Sequence, residues 1–265
     1  MCGNEAGHTR AAEWSVVPAR TADTEKIFEA SQHTDDDEFR QRKISAWDAD
    51  LGSRMILKDE KDLIWYPAEV NTSIRPGWFW HDYEDDKVKP LEYLIDVYNK
   101  SVGVNATFLL NIPPTNTGLF HENDVARLKE LGDYLSNAFK TNILDNAKLS
   151  ADSELCAHGI ENARSDCYDC CYIAGEGQSR GVITAEWSES VDIANVVLKE
   201  NIYLSQRVES FRIEARINDK FVEIGKGTVI GHKRIVPIDS VRTDCLKIVI
   251  EDSRCEPTLS YIGVY

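Results

Sequence analysis

Several things are missing from this 265-residue sequence, and each absence narrows what it can do. No apolar run approaches the roughly 18 residues needed to cross a bilayer as a helix, and no basic segment leads into an apolar one as an export signal would. Positive charge is scarce: 30 Lys and Arg stand against 45 Asp and Glu, a formal net charge of −15. Nucleic acid and anionic membranes both need a basic surface to displace counterions or meet headgroups, so neither is expected as a partner. A neutral ligand such as a sugar is unaffected by that field. A disulfide framework is missing too. Seven cysteines are an odd number, and three of them crowd into Cys167-Tyr168-Asp169-Cys170-Cys171. Half a zinc site is conceivable there, but Cys156 with His158 is a poor second pair, so reduced thiols are expected, with no metal and no other cofactor. Whether the protein works in the cytoplasm or is secreted is left open by these features.

What is present begins with Cys2-Gly3-Asn4-Glu5-Ala6-Gly7-His8-Thr9-Arg10-Ala11-Ala12-Glu13-Trp14, a carboxylate in a glycine-bracketed loop with an indole close behind. Residues 19 to 42 are polar, with the acidic run Asp35-Asp36-Asp37-Glu38, and read as a surface excursion. Leu63 to Val70 reads as a buried parallel strand that delivers Glu69 to its ligand end. In Ile74-Arg75-Pro76-Gly77-Trp78-Phe79-Trp80-His81, alternation would send Trp78 and Trp80 to one side, either as core or as a platform for the C–H face of a pyranose. Apolar spacing predicts a helix from Lys89 to Val102, ended by Gly103, and another from about Glu122 to Phe139. Between them Ala106 to Ile112 reads as a fully buried strand, with Asn111 at its end and Pro113-Pro114 stopping it. Strand, helix, strand, helix is the rhythm of a parallel α/β layer, whose chemistry sits at the C-terminal strand ends.

Near Asn142 that rhythm stops, and no convincing helix follows. Val208 to Ile217 alternates dry and wet positions, and Asn218-Asp219 makes a turn. Phe221 to Ile224, Ile230 to Pro237, Leu246 to Ile250 and Leu259 to Tyr265 continue as short strands. The expected fold class is therefore α/β followed by all-β, with an antiparallel sandwich of jelly-roll type after a boundary near residue 141.

Three groups of motifs together resemble the α-L-fucosidases of glycoside hydrolase family 29. They are Gly3-Asn4-Glu5-Ala6-Gly7 with Glu13-Trp14-Ser15-Val16-Val17-Pro18; Trp65-Tyr66-Pro67-Ala68-Glu69-Val70 with Ser73-Ile74-Arg75-Pro76-Gly77-Trp78-Phe79; and Leu110-Asn111-Ile112-Pro113-Pro114 with His121-Glu122-Asn123-Asp124-Val125. The branch selective for α-1,3/1,4-linked fucose is the most similar. Gly227-Thr228-Val229-Ile230-Gly231-His232-Lys233-Arg234 and Ile262-Gly263-Val264-Tyr265 are similar to the discoidin-like (galactose-binding-like) sandwich that follows the barrel in that branch.

The resemblance implies an incomplete (β/α)8 barrel over residues 1–141 and a discoidin-like β-sandwich over 142–265. It implies a retaining hydrolase with two carboxyl groups about 5 to 5.5 Å apart. Glu5 takes the general acid/base role by that likeness, with Glu69 the second candidate and Glu13 a structural third. Asn4, His8, Trp14, Trp78 and Trp80 become the expected substrate contacts, Trp14 as an apolar wall that raises the acid's pKa. The family's nucleophile is an Asp upstream of Gly-Asn-Glu, and only four residues precede Glu5 here. The chain is therefore expected to act on fucosylated glycans only beside a complementing N-terminal half of the barrel. The alternative is a carbohydrate-binding or structural sandwich with a barrel remnant. Among Tyr168, Tyr172, Trp187 and Tyr203 no exposed aromatic platform is evident from the sequence.

Overall fold

A computed structural model describes residues 2–4, 7–19, 21 and 48–265, with backbone only for 2–4. The acidic run 35–38 and Glu5 lie outside the described residues. The fold is mixed α/β and mostly sheet.

The first part is built on three parallel strands in the order β1-β4-β5: β1 (Cys2–Asn4), β4 (Ala68–Ser73) and β5 (Thr107–Asn111). Gly3 pairs with Glu69, and Glu69 in turn with Thr107. A separate hairpin-like pair, β2 (Val16–Pro18) with β3 (Leu63–Trp65), stands beside this sheet. Helix α1 (Arg54–Leu57) is a single turn; α2 (Leu91–Asn99) and α3 (Glu122–Ala138) are the two longer helices. Leu94 and Leu131 from these helices bury against Ile74, and Leu91, Ile95, Leu128 and Leu135 pack around them, which is what their i, i+3, i+4 spacing dictates.

Four sequence expectations in this part are corrected. Leu63–Val70 is not one strand: it breaks at Tyr66-Pro67, because proline donates no ladder hydrogen bond, and its two halves join different sheets. Glu69 is consequently the second residue of β4, not its last. Trp78–His81 is a bent loop and not a strand, since Pro76-Gly77 turns the chain. The strand β5 does end at Asn111, but it is not fully buried; Leu109 is half exposed because β5 is an edge among the described strands. Helix α2 stops at Asn99, three residues short of Val102.

The second part is a six-stranded antiparallel sheet in the order β10 (Lys220–Gly227), β9 (Val208–Ile217), β11 (Arg234–Ser253), β8 (Gly181–Lys199) and β13 (Tyr261–Val264), with β6 (Lys148–Ala151) also on β8. Its frame is two long strands, β8 (Gly181–Lys199) and β11 (Arg234–Ser253), paired along most of their length with register breaks near 237–241 and 243–245. Side chains from both halves of this ribbon, Ile183 and Ala185 as well as Ile193 and Val196, enter one apolar core with Phe211, Ile213 and Ala215, so the ribbon folds over on itself to enclose them. The alternating strand β9 (Val208–Ile217) and its partner β10 (Lys220–Gly227) are joined by Asn218 and Asp219, both at positive φ (50° and 61°), the two-residue turn whose twist suits a hairpin. The short β7 (Tyr172–Ile173) pairs with β12 (Thr258–Leu259), and β13 (Tyr261–Val264) closes the edge.

The two parts meet along a polar seam. Asn105 Nδ2 donates to the Glu13 carbonyl at 2.8 Å, Gln206 Oε1 accepts from the Ser15 amide at 2.8 Å, and Ile235 N–H reaches the Gly103 carbonyl at 2.9 Å. Gly231, at φ +65°, lies so close that a Cβ there would come within 2.6 Å of Asn105 and Gln206.

Candidate active-site face

The C-terminal ends of the parallel strands carry Asn4, Ser73 and Asn111. Ser73 Oγ accepts from the Arg75 amide (3.3 Å) and from Asn111 Nδ2 (3.1 Å); the same Nδ2 donates to the Trp78 carbonyl at 3.0 Å. Two neighbouring strand ends thus pin the backbone of the loop that bears Trp78, Phe79 and Trp80.

Beneath this loop runs a charged network. Arg75 is fully buried, and its Nε donates to both carboxylate oxygens of the equally buried Asp124 at 3.0 Å, while Nη1 reaches Asp85 Oδ1 at 2.9 Å. Asp85 also accepts from Trp80 Nε1 at 3.0 Å and lies 3.2 Å from His121 Nε2. Burial works against the ionised form of Asp85. Hydrogen bonds from Arg75 and Trp80, with the nearby charges of His121 and Arg75, outweigh it and hold the carboxyl below its ordinary range. Arg75 is pushed the other way: burial disfavours its charge, yet the bonds to Asp124 and Asp85 raise its pKa. His121 caps α3, its Nδ1 accepting from the Asn123 amide, and Asn123 Nδ2 donates to the Asp85 carbonyl at 2.7 Å. The loop is therefore clamped to the α3 N-terminus from two directions.

On the rim, Phe79 is 77% and Tyr83 64% exposed, and His81 stacks on Tyr83 with centroids 5.1 Å apart. Exposed aromatics on a clamped loop at strand C-termini suit a ligand with a C–H face, such as a sugar.

The structure brings Trp78 and Trp80, both half-buried, to this face. It takes His8 and Trp14 elsewhere. From Asn4 the chain passes Gly7, at φ +79° beside the Tyr93 hydroxyl, and reaches Thr9, whose amide donates to the Lys100 carbonyl. It therefore follows α2 toward the opposite end of the strands. His8 is exposed on this path, its Nδ1 3.3 Å from the Thr9 carbonyl. Trp14 is only 3% exposed. It packs with Ala12 and Val229 under the Arg254 guanidinium (4.2 Å), so its indole is a wedge between the two parts of the molecule with no open face to stack on. Glu13 is buried and held by Arg10 through Nε (3.0 and 3.1 Å) and Nη2 (2.7 Å). Burial still raises its pKa against that partner. Glu69 is half-buried within β4. Arg75, Asp85, His121 and Asp124 carry no role in the sequence reading. The available signal was a cation inside the apolar run Ser73-Ile74-Arg75-Pro76 and the acidic, His-led first turn of α3.

Among the described residues no group of three or more His, Cys, Asp or Glu is arranged to hold a metal ion.

The α-L-fucosidase family model matches residues 19–138, a span that contains β4, α2, β5 and α3. Alpha-L-fucosidase 1 of Arabidopsis thaliana is 34% identical over 208 residues, covering 76% of this chain and 41% of its own length. All three kinds of comparison support the α-L-fucosidase family. A solved structure from Bacteroides thetaiotaomicron named as an α-L-fucosidase superposes on all of the chain with a TM-score of 0.82 and 26% identity, the match covering 54% of that structure. A Ruminococcus gnavus GH29 fucosidase solved with fucose does so with a TM-score of 0.79 and 25% identity, covering 50%. The relatives are thus glycoside hydrolases, and the chain spans about 41% of the curated plant relative and about half of these structures.

Proposed function

We propose that this chain supplies the closing part of the catalytic barrel (1–141) and an appended discoidin-like sandwich of jelly-roll type (142–265) of a retaining α-L-fucosidase that removes α-1,3/1,4-linked fucose from glycans. The observation that carries the reading is the alignment of Asn4, Ser73 and Asn111 at one end of three adjacent parallel strands, beneath a clamped loop of Trp78, Phe79 and Trp80. Parallel α/β enzymes keep their chemistry at that end. In this reading Glu5, next in sequence after Asn4, protonates the departing glycosidic oxygen and then deprotonates water, while Trp78 and Trp80 meet the sugar. Glu69 stays the second candidate for the acid/base role, although its place early in β4 favours Glu5. The nucleophilic Asp comes from barrel strands that complete the sheet at β1 and β5, its edges among the described residues, so fucose release needs that complementing half. The dense seam favours a supporting role for the sandwich.

The test compares fucose release from a Lewis-type trisaccharide by this chain alone and by a form extended through the preceding strands, following the anomer first released by NMR. Release by the extended form only, as the α-anomer, is expected. In the active form Glu5→Gln should cost about 10²–10⁴-fold on the trisaccharide and far less on an activated aryl fucoside. Equal loss on both substrates would move the role to Glu69. Family-level activity of the chain alone would refute the need for an upstream nucleophile.

A further inference from the structure

A cleft of about 410 Å³ opens between the C-terminal halves of α2 and α3 and the β8 and β13 edge of the antiparallel sheet. Its walls are the aromatic rings of Tyr98, Phe139, Tyr261 and Tyr265, and its charges are Lys199, Lys233 and Asp166. It lies at the far end of α3 from His121, about 25 Å along a 17-residue helix, so it is not part of the loop network above.

The cleft has more hydrogen-bond donors than acceptors. Lys199 Nζ is paired with Asp166 at 2.5 Å. Lys233 Nζ donates to the Tyr98 hydroxyl at 3.1 Å and lies 5.6 Å from the Tyr98 and Phe139 ring centres, with no carboxylate within salt-bridge distance among the described residues. An ammonium offers three N–H donors, so both lysines keep donors to spare. The Tyr261 and Tyr265 hydroxyls lie 2.6 Å apart; one proton joins them, and the other remains to be given away. Asn142 Nδ2 already donates to Tyr261 at 3.3 Å, which adds to the excess. Among the lining side chains two are cations and one is a carboxylate, in a chain of net charge −15. Burial holds the neighbouring His232 below its ordinary pKa, with the charges of Lys199 and Lys233 adding to it and that of Asp166 opposing it. Beside it the half-buried Tyr168 hydrogen-bonds His232 Nδ1, and Tyr203, 75% exposed, lies 4.7 Å from the Tyr168 ring.

Surplus donors, an unpaired ammonium and aromatic faces together call for a ligand that is anionic, rich in acceptors and apolar on one face. We propose that this cleft binds an acidic saccharide, a pyranose bearing a carboxylate or a sulfate, with its anionic group on Lys233 and its C–H face on the Phe139 and Tyr265 rings. The volume lies within the range of small-molecule sites. Binding here is independent of fucose hydrolysis and is read without it.

The experiment titrates the intact chain by calorimetry with glucuronic acid, galactose 6-sulfate, galactose and inorganic sulfate. Saturable binding of at least one acidic sugar at millimolar concentration is expected, with galactose and sulfate each about tenfold weaker or worse. The two acidic sugars separate carboxylate from sulfate as the preferred anion. Lys233→Gln should weaken the acidic sugar about tenfold and Lys233→Arg should restore it; if Lys233→Gln unfolds, Lys199→Gln is expected to weaken binding in its place. Absence of saturation by both acidic sugars, equal binding of galactose or of sulfate, or unchanged affinity in a folded lysine variant would overturn the proposal.

Discussion

The two parts of this molecule stabilise themselves differently. The antiparallel part has one continuous apolar core, from Leu144 to Val264, with Phe211, Ile213 and Leu198 completely enclosed. Among the described residues the parallel α/β part has small separate clusters around Val17, Trp14 and Ile74, while Trp65, Phe79, Leu119 and Phe120 are more than half exposed. What it lacks in core it replaces with buried ion pairs, Arg75 with Asp124 and Arg10 with Glu13. The antiparallel part buries instead a carboxylate, Glu200, among backbone amides. Apolar burial is non-directional and tolerant, whereas a buried charge depends on every partner being in place. The first part is therefore the one whose geometry is set by a few specific residues, which suits the part that bears the candidate site.

The largest effect should come from emptying the continuous core. Phe211→Ala is expected to cost about 3–5 kcal/mol in urea denaturation, against about 0.5 kcal/mol or less for the exposed Phe79→Ala. Comparable losses at both positions would mean the parts are not built differently. Next, Asp124→Ala leaves Arg75 charged and buried, for about 3 kcal/mol, while replacing both by Arg75→Met with Asp124→Leu should recover most of it. A double variant as unstable as the single one would show that the network does more than neutralise Arg75.

These two sites also show why the chain could be read only in part. The hairpin of β9 and β10 was legible because Phe211, Ile213 and Ala215 alternate with polar residues up to Asn218-Asp219, and a local pattern predicts a local structure. The strand end at Asn111 and the span of α3 were legible for the same reason. The long strand β8 was not: its alternation from Gly181 to Trp187 collapses at Ser188-Glu189-Ser190, returns at Val191 and Ile193, and has changed phase by Val196 and Leu198. Strand β11 likewise reads as two strands, because its register on β8 breaks near 237–241 and 243–245. The Arg75–Asp124 pair spans 49 positions and leaves no periodic trace, so the clamp under the Trp78 loop could not be derived from spacing. Trp14 was misleading because an indole beside a candidate carboxylate in sequence is carried away by the path along α2.

A smaller effect separates the two ways of burying charge by pH. Glu200 accepts from the amides of Arg207 (2.7 Å), Val208 (2.9 Å) and Gly231 (2.7 Å). Burial pushes its pKa up to about 7, those bonds only partly opposing it. A pKa raised on folding means the native state holds a proton more tightly than the unfolded one. The stability it contributes is thus complete below the unfolded value near 4.5 and is lost as pH rises through about 7. Stability should fall by about 2 kcal/mol between pH 5 and 8, and Glu200→Gln should flatten that slope. A slope that survives in the variant would place the titration elsewhere. Asp85 and Asp244, both lowered, act in the opposite sense and at more acid pH, where their stabilisation is lost as pH falls below the ordinary carboxylate range.

The smallest effect tests the seam that joins the unlike halves. Gln206 accepts from the Ser15 amide and donates to the Glu13 carbonyl at 3.3 Å, so one side chain of the antiparallel part satisfies two backbone groups of the other part. In Gln206→Ala the Glu13 carbonyl keeps Asn105 as a donor, and only the Ser15 amide loses its partner, which sets the cost at about 1 kcal/mol. The more telling readout is cooperativity. Trp14 lies at the seam and Trp187 in the large apolar core, so fluorine-labelled tryptophans report the two regions separately by NMR. With the seam intact their unfolding midpoints in urea should coincide, because the α/β part draws its stability through these contacts. In Gln206→Ala, and more so with Asn105→Ala added, the Trp14 transition should move to lower urea while that of Trp187 holds. Coincident shifts of both would show that the small clusters of the first part and the single core of the second unfold as one unit.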